Sequence, residues 1–237
     1  MLKWLRFFRV VNLPTVPGDI LVGAAAVRFA AGDVSVCGAK AVFGAAAAAV
    51  LLYMFGLADN DILGAPTDHG RPIAEGEISL SLARWARFLC LAAAAGVAAA
   101  LQLPPRWWIM AALLTVSIAA YNRAKSSMLM GLCRGLDVLG GAAVATGAYA
   151  RWPALAAAAV FTIYIAAVTR FSEGEELDPA RKRAVGALIG ALVYLQLSAL
   201  IVFYLAGAPV RSFLLVGAAL LILLRLARKF MPKVSAS

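Results

Sequence analysis

The chain consists largely of long apolar runs separated by short polar segments. In these runs the apolar residues are continuous rather than alternating. The clearest runs are 39–57, 91–103, 154–169 and 212–224. They approach the length of about 20 apolar residues that an α-helix needs to cross a hydrocarbon core about 30 Å thick. Alanine is abundant in them and favours helix, so continuous Ala-rich runs predict membrane-spanning helices and argue against a β-barrel.

Gly and Pro mark the breaks between the runs, most clearly at Pro104 and Pro105, which separate the third run from the fourth. The pattern predicts an all-α, polytopic transmembrane bundle of about 8–9 helices. The predicted spans are 14–32, 38–58, 85–103, 106–121, 130–150, 153–171, 184–206 and 209–228. We expect 1–237 to form one domain of two four-helix halves, about 1–121 and 122–237, each beginning with a helix pair and an acidic loop.

Composition agrees with this picture. Of the 237 residues 63% are hydrophobic and 14% are charged, and the mean hydropathy is +0.87. A soluble domain of this size needs more charge to cover its core, so the excess apolar surface must face lipid. The net charge of +10 would raise nucleic acid as a partner of a soluble protein. Here topogenic charge on cytoplasmic loops explains it, and no nucleic-acid partner is expected.

The distribution of Lys and Arg predicts the orientation. With the N-terminus inside, 17 of the 22 Lys and Arg residues fall in cytoplasmic segments, and the reverse orientation inverts this bias. The five that fall outside are Arg28, Lys40, Arg106, Arg151 and Arg211. By the positive-inside rule both termini are cytoplasmic. We therefore expect a multi-pass protein of the inner (cell) membrane.

Nine of the twelve carboxylates fall in two predicted cytoplasmic loops, four spans apart. In the first loop Asn60 and Asp61 follow an apolar run, Asp68 comes a turn or two later, and Arg71 follows. Mg²⁺ prefers such oxygen ligands and commonly binds through one or two carboxylates plus substrate phosphates. Together with Arg71 it would neutralise a diphosphate. The alternative is a solvated turn whose acids only balance nearby arginines.

The first loop resembles the first signature of the UbiA superfamily of intramembrane prenyltransferases, NDxxDxxxD followed by RP[IL]xxG. Asn60, Asp61 and Asp68 match acidic-motif positions, and 71–76 (Arg-Pro-Ile-Ala-Glu-Gly) matches the second segment. Gly64 replaces the middle aspartate, and the gap from Asp68 to the arginine is shorter than usual. The resemblance implies a helical bundle around a central cavity that opens to the cytoplasmic side or to lipid. It also implies that Asn60, Asp61 and Asp68 hold Mg²⁺, with both aspartates catalytic.

Two further segments are similar to the same family. The stretch 9–14 resembles the family's opening, in which Arg9 and Asn12 would face the active cavity. Tyr121 and Lys125 resemble the Tyr and Lys motif that follows the fourth helix. The resemblance implies that these four residues, together with Arg71, bind substrate.

The second acidic loop lies where the family carries a motif of the type DxEGD. Glu173 and Gly174 match it, Glu175 replaces the closing aspartate, and Phe171 occupies the position of the opening one. The resemblance implies that Glu173 and Glu175 complete a second metal site and act in catalysis. Loss of one aspartate from each motif weakens that site and puts two-metal chemistry in doubt.

A charged pair lies within the fifth predicted span. Arg134 and Asp137 are three residues apart and can meet on one helix face. Intramembrane charges are expensive and usually face a cavity or a partner. The pair is therefore either an internal structural pair or a cavity wall that orients a polar substrate. The segment 130–135 (Met-Gly-Leu-Cys-Arg-Gly) most resembles the UbiA-like member of bacterial Ebo operons.

These features give a leading function and an alternative. The leading function is Mg²⁺-dependent transfer of a prenyl group from an allylic isoprenoid diphosphate to a small acceptor within the lipid membrane. The alternative is a catalytically altered relative that binds or translocates a lipid-linked or cyclic precursor. The weakened motifs favour the alternative, and the retained Asn60, Asp61 and Arg71 oppose it. A simple transporter is disfavoured because paired broken spans are lacking.

Overall fold

The computed structural model describes residues 2–31, 38–68, 70–146, 152–173 and 178–230, and every regular element within these ranges is helical. A short helix and a 3₁₀ helix precede eight longer helices. They are α1 Leu2–Phe7, the 3₁₀ helix Val10–Thr15, α2 Pro17–Ala31, α3 Ala39–Gly64, α4 Leu80–Ala100, α5 Pro105–Ala124, α6 Ser127–Thr146, α7 Trp152–Ser172, α8 Pro179–Leu205 and α9 Arg211–Phe230. The predicted all-α bundle is confirmed.

The eight predicted spans correspond one to one with α2–α9. Among the described residues, six helical stretches are long and apolar enough to cross a membrane. They are Leu2–Ala30, Ala39–Gly64, Leu80–Ala100, Ser127–Ala145, Trp152–Ser172 and Pro179–Leu205. Helices α5 and α9 are 20 residues long but less apolar. The protein is a multi-pass membrane protein.

The largest boundary difference lies in the second span, which was predicted to end at residue 58. Helix α3 continues to Gly64, so Asn60 and Asp61 lie on its last turns rather than in a loop. The helix continues through these polar residues because Asp59 and Asp61 each have a cationic partner from another element. The motif is therefore built on a rigid helix end.

Helix α2 lies at the centre of the bundle and contacts α3, α6, α7 and α8. Of these neighbours, α6 approaches α2 most closely. A Cβ on Gly23 would lie 1.8 Å from the carbonyl oxygen of Val138, and one on Gly141 would lie 2.0 Å from that of Ile20. Small residues allow such backbone contact between membrane helices. The α2–α6 pair is thus a tightly packed centre that positions the polar residues on both helices.

Large apolar side chains cover the outside of the peripheral helices. Trp85, Phe88 and Leu89 on α4 are more than half exposed, as are Val202 and Leu205 on α8. A soluble protein rarely exposes apolar side chains in such numbers. This surface fits a hydrocarbon environment, in agreement with the membrane assignment.

Candidate functional site

Helices α3, α5 and α6 line an open cavity of about 90 Å³. Its polar and charged lining residues are Arg9, Asn60, Asn122, Arg134 and Asp137; Tyr53, Tyr121 and Cys133 add polarisable groups, and Ala49, Gly56, Leu57, Leu114, Ile118 and Met130 complete the wall. On α3 the lining runs from Ala49 to Asn60, about 16 Å along the axis at about 1.5 Å per residue. The cavity therefore has a polar mouth at the ends of α3 and α5 and reaches well into the bundle.

Asp61 is the charged centre of the mouth. Its side chain is 1% exposed, Arg9 Nη2 donates to its Oδ1 at 3.1 Å, and Arg71 Nη1 lies 3.9 Å from the same oxygen. Asp61 Oδ2 and Arg9 Nε are buried without a hydrogen-bond partner. Arg9 reaches this position from the junction between α1 and the 3₁₀ helix, where its φ is +41°. One carboxylate thus gathers two guanidinium groups and keeps one oxygen available.

Lys125 and Asn60 meet beside this cluster. The Lys125 ammonium donates to Asn60 Oδ1, and Lys125 Nζ lies 5.8 Å from the ring centroid of Tyr121. Lys125 ends α5 with a φ of +52°, and its own N–H donates to the Tyr121 carbonyl. Burial lowers the pKa of Lys125; Asp68 opposes this shift, and Arg9 adds to it. Three cations therefore converge on the Asn60–Asp61 pair.

Asp68 lies across from the end of α3. Its Oδ2 would be 2.2 Å from a Cβ built on Gly64, and Thr67 Oγ1 lies 3.4 Å from its Oδ1. The space beside the last turn of α3, where the family has its middle aspartate, is thus filled by the Asp68 carboxylate. Asp68 and Asp61 both act electrostatically on the Lys125 ammonium.

The neighbouring Asp59 faces away from Asp61 and holds helices together. Arg87 Nη1 donates to its Oδ1 at 2.7 Å, and Asn122 Nδ2 donates to its Oδ2 at 2.9 Å and to the Gly56 carbonyl at 3.0 Å. These contacts join α3 to α4 and α5. Sequence reasoning did not single out Arg87 for this role, because a partner on another helix leaves no periodic signal.

The loop between α3 and α4 is anchored to the N-terminal helix. Arg6 donates to Glu75, to Glu77 and to the Gly70 carbonyl at 2.8–3.2 Å, and Lys3 donates to the Glu77 carbonyl. These acids are partly exposed. The contacts hold the Arg71 segment beside the mouth, so the loop acids Glu75 and Glu77 position the site and are not part of it.

Asn12 does not lie where the resemblance placed it. It is half-buried in the 3₁₀ helix, and its carbonyl accepts from Thr15 Oγ1 at 2.7 Å. Its side chain is not part of the lining of the described cavity. Arg9 precedes the 3₁₀ helix in a left-handed backbone conformation (φ +41°), so it does not share a helical face with Asn12, and of the two only Arg9 lines the cavity.

The second acidic motif is only partly described. Glu173 is exposed and pairs with Arg170 at 2.8 Å, and its carbonyl accepts from Arg181. Among the described residues no hydrogen bond or ion pair joins Glu173 to the first motif. Glu175 lies outside the described residues. Phe171 is 43% exposed, and the Arg181 guanidinium lies 5.3 Å from its ring centroid.

A buried polar network joins α2, α6, α8 and the 3₁₀ helix. Arg134 Nη1 donates to Asp19 Oδ2 at 2.9 Å, and Arg134 Nη2 donates to Thr15 Oγ1 at 2.9 Å. Gln196 Nε2 donates to Asp19 Oδ1 and to the Thr15 carbonyl, both at 2.7 Å. All four side chains are buried. Sequence reasoning missed Thr15 and Gln196, although a glutamine in the middle of an apolar run was a usable signal.

Of the two interpretations of Arg134 and Asp137, the structure does not show the internal pair. Arg134 binds Asp19, more than a hundred positions away, and the Arg134 guanidinium carbon lies 5.4 Å from the ring centroid of Tyr53. Within the described ranges no ion pair joins Arg134 to Asp137, and Asp137 Oδ1 is buried without a hydrogen-bond partner. The close α2–α6 contact brings Asp19 within reach, which helix spacing alone does not reveal. Both residues do line the cavity, as predicted for a cavity wall.

The mouth fits a magnesium ion that is shared with a phosphate ligand. Asp61 offers an unpartnered buried oxygen, and Asn60 and Asp68 supply further oxygens nearby. Among the described residues no cluster of three or more Asp, Glu, His or Cys side chains is placed to hold a metal by itself. Since Mg²⁺ commonly combines one or two carboxylates with substrate phosphates, the donor set fits a substrate-assisted site.

Three solved structures share this fold. The chain has a TM-score of 0.60 to a UbiA homolog from Archaeoglobus fulgidus bound to GPP and Mg²⁺, at 15% identity over 99% of this chain and 100% of that one. For the same homolog bound to DMAPP and Mg²⁺ the TM-score is 0.59 at 16% identity, over 96% and 87% of the two chains. A digeranylgeranylglyceryl phosphate synthase in membranes gives 0.55 at 14% identity, over 99% and 92%.

No family model matches the sequence, and neither does any curated protein. The chain therefore has the fold of UbiA homologues, and the resemblance that its motifs carry is confirmed at the level of the fold. The narrower resemblance to the Ebo-operon member stays a prediction.

Proposed function

We propose that this chain is a UbiA-type membrane prenyltransferase that binds an allylic isoprenoid diphosphate with Mg²⁺ and transfers its prenyl group to a small acceptor. The observation that carries the proposal is the convergence of Arg9, Arg71 and Lys125 on the Asn60–Asp61 pair. It lies at the mouth of a cavity, in a fold whose solved relatives bind DMAPP or GPP with Mg²⁺. Cations around a carboxylate with a free oxygen match a ligand that is itself anionic and metal-bound.

Each residue of the mouth has a distinct proposed role. Asp61 and Asp68, with Asn60, would hold the ion, which when bound neutralises the charge of the leaving diphosphate. Arg71 and Lys125 grip the diphosphate oxygens, and Arg9 holds Asp61 in place while facing the ligand. Tyr121 contributes a ring beside Lys125.

The second candidate is a relative that binds the diphosphate without transferring the prenyl group. Gly64 removes one carboxylate from the first motif and Phe171 one from the second. Glu173 is engaged by Arg170. These observations weaken a second metal site, for which Glu173 and Glu175 are the proposed ligands. Such a protein would keep Mg²⁺-dependent binding and lack turnover.

Purified protein in lipid nanodiscs separates the candidates. Binding of DMAPP and GPP is measured with Mg²⁺ and with EDTA, and products are sought by mass spectrometry with a panel of small acceptors. We expect Mg²⁺-dependent binding that is reduced at least about tenfold in Asp61→Ala, the loss of about 1.4 kcal/mol or more. Binding that is equal in EDTA and in the variant would reject both candidates. Binding without product from any diphosphate would select the second.

We also propose that the protein lies in the inner membrane with both termini and the Arg71 loop in the cytoplasm, because 17 of 22 Lys and Arg residues fall on that side. A single cysteine at Ala65, in a background without the three native cysteines, tests this. It should resist an impermeant thiol reagent in intact cells and react after permeabilisation. Efficient labelling of intact cells would reverse the orientation.

A further inference from the structure

Asp137 lies at the junction of two cavities. It lines the main cavity, and it also lines a much smaller adjoining space between α2, α3, α5 and α6, with room for about one water molecule. The wall of this space is otherwise apolar and includes Ile20, Leu52, Trp107 and Leu136. Asp137 is ten residues into α6, about 15 Å from its start at about 1.5 Å per residue. It therefore marks the inner end of the ligand space, away from the mouth.

The Asp137 carboxyl group has an unmet hydrogen-bonding capacity. The residue is 7% exposed, and its Oδ1 is buried without a partner. A buried polar atom without a hydrogen bond is unfavourable and rare in folded proteins. In contrast, both carboxylate oxygens of the equally buried Asp19 accept hydrogen bonds. The polar centre of the bundle is thus complete at Asp19 and incomplete at Asp137.

The neighbouring arginine does not supply the missing partner. Arg134 directs its two terminal nitrogens to Asp19 and Thr15. Two buried acids therefore share one buried cation, and that cation is committed to the acid on α2. Among the described residues no protein donor reaches Asp137 Oδ1, so its partner would be a water molecule or a ligand.

An isoprenoid tail is not that donor, since it carries only carbon and hydrogen. Filling the inner end with such a tail would leave Asp137 Oδ1 without a partner in the bound state as well. Apart from Arg134, whose guanidinium is held by Asp19 and Thr15, the wall beside Asp137 is largely apolar, with Leu114 and Ile118 contributed by α5. The expected occupant is a small molecule with an apolar body and one hydrogen-bond donor.

We propose that the inner end of the cavity is the acceptor site, and that Asp137 binds the acceptor through a hydroxyl or ammonium group that donates to its free oxygen. This inference rests on the proposed function only in treating that molecule as the prenyl acceptor. It assigns the diphosphate to the mouth around Asp61 and the acceptor's donor group to the opposite end of the cavity. Asp137 is then a specificity-determining residue.

Cys133 provides a reporter, because it lines the same cavity one turn before Asp137. In a Cys37→Ala, Cys90→Ala background in nanodiscs, alkylation of Cys133 by iodoacetamide is followed against benzyl alcohol, benzylamine and ethylbenzene. The three probes share a body and differ in a hydroxyl, an ammonium or a methyl group. Within each variant, the protection of Cys133 by a polar probe is divided by its protection by ethylbenzene. Because each probe partitions into lipid equally for all variants, comparing this ratio between variants cancels the effect of partitioning.

The critical variant is Asp137→Leu, and the control is Gln196→Leu. Gln196 is also buried but is not part of the cavity lining, and it donates two hydrogen bonds. We expect one polar probe to be preferred in the wild type, and this preference to fall about tenfold in Asp137→Leu, as for the loss of one buried hydrogen bond. It should persist in Gln196→Leu. The melting temperature should drop in Gln196→Leu, which loses two hydrogen bonds. It should hardly change in Asp137→Leu, because Asp137 Oδ1 has no partner among the described residues to lose.

Asp137→Asn distinguishes the two ligand chemistries. It keeps an acceptor oxygen and cannot become a carboxylate, so preference for benzyl alcohol should survive it and preference for benzylamine should not. The proposal is overturned if the wild type shows no polar preference, if the preference persists in Asp137→Leu, or if Asp137→Leu melts as low as Gln196→Leu or does not fold. Mg²⁺-dependent DMAPP binding by the same samples reports separately on the proposed function.

Discussion

Arg9 Nη2 donates to Asp61 Oδ1 at 3.1 Å, across 52 positions of sequence. The Arg9 side chain is 19% exposed and that of Asp61 1%. Arg6, one helical turn earlier, has the same 19% exposure but pairs with Glu75 and Glu77, whose side chains are 42% and 35% exposed. The two arginines therefore make the same type of contact in different surroundings, which makes them a matched pair for experiment.

Arg9→Gln should destabilise the protein far more than Arg6→Gln. Removing one partner of a buried ion pair typically costs about 3–5 kcal/mol, and since Arg71 still faces Asp61 we expect the lower end, about 3 kcal/mol. An exposed pair contributes at most about 1 kcal/mol. Thermal unfolding in a mild detergent, followed by circular dichroism, gives the comparison. Equal melting temperatures for the two variants would show that the Arg9 contact adds nothing to the fold.

Lys125 should give diphosphate binding a characteristic pH dependence. The charged lysine binds the anion, and burial, together with Arg9 and Arg71, lowers the pKa of Lys125 below its usual value of 10.5. The affinity for the diphosphate should therefore be highest below that pKa and fall as pH rises through it. This fall should occur at a lower pH than for a lysine with the usual pKa. In Lys125→Arg the side chain stays charged over this range. Ionisation of the ligand affects both proteins equally, so it cancels when the affinity of Lys125→Arg is compared with that of the wild type at each pH. Identical curves of affinity against pH would exclude Lys125 as a diphosphate contact.

Gly64→Ala should weaken Mg²⁺-dependent DMAPP binding with little effect on stability. The new Cβ would fall 2.2 Å from Asp68 Oδ2, and the end of that side chain is able to move away. We expect a loss of affinity of about fivefold, about 1 kcal/mol, since Asp68 leaves the space beside the helix end. Gly96→Ala on α4 is the control, because a Cβ there meets nothing within 4 Å; it should raise stability by about 0.5–1 kcal/mol and leave binding unchanged.

The Asp19–Arg134 pair should show strong coupling. Arg134→Met leaves a buried Asp19 charge with only Gln196 as a partner, and Asp19→Leu leaves the buried Arg134 cation with Thr15. Each single change should cost about 3–5 kcal/mol, whereas the double variant should cost less than their sum because neither member of this pair is left without the other. A double-mutant cycle on unfolding measures this. Additive losses would mean that the two side chains do not depend on each other.

The sequence predicted the helices well because each is long, continuous and bounded by Gly, Pro or charge. It also predicted that Asn60, Asp61, Arg9 and Lys125 belong to one site, since the motif carries that information. The division into two four-helix halves, 1–121 and 122–237, stays a prediction.

The remaining contacts depend on helix packing, which periodicity does not encode. Arg134 has an acid three residues away in sequence, yet it binds Asp19, because the glycine contacts between α2 and α6 set the distance. Gln196 is similar. It is polar within an apolar run, and only the position of α8 against α2 shows that its partner is Asp19. Residue type indicates that such groups need partners, and packing decides which.

The second motif leads to a prediction that combines sequence and structure. Phe171→Asp restores the residue type that the family has at this position, and by itself it would be expected to strengthen a second metal site. The Arg181 guanidinium, however, lies 5.3 Å from the centroid of the Phe171 ring. An aspartate at 171 is therefore within reach of Arg181, and an ion pair between them would neutralise the new carboxylate. We expect Phe171→Asp alone to leave metal-dependent DMAPP binding and product formation unchanged.

Phe171→Asp combined with Arg181→Gln should free that carboxylate. In the double variant we expect product formation, or Mg²⁺-dependent affinity if the protein does not turn over, to rise about fivefold, while Arg181→Gln alone has no such effect. Glu175→Gln in the double variant should cancel the gain, because an amide lacks the charge that a second cation needs. Mg²⁺ titration of DMAPP binding, alongside mass-spectrometric detection of product, measures the whole series. A gain in Phe171→Asp by itself would show that Arg181 does not hold position 171, and no gain in the double variant would show that this loop does not contribute to metal binding.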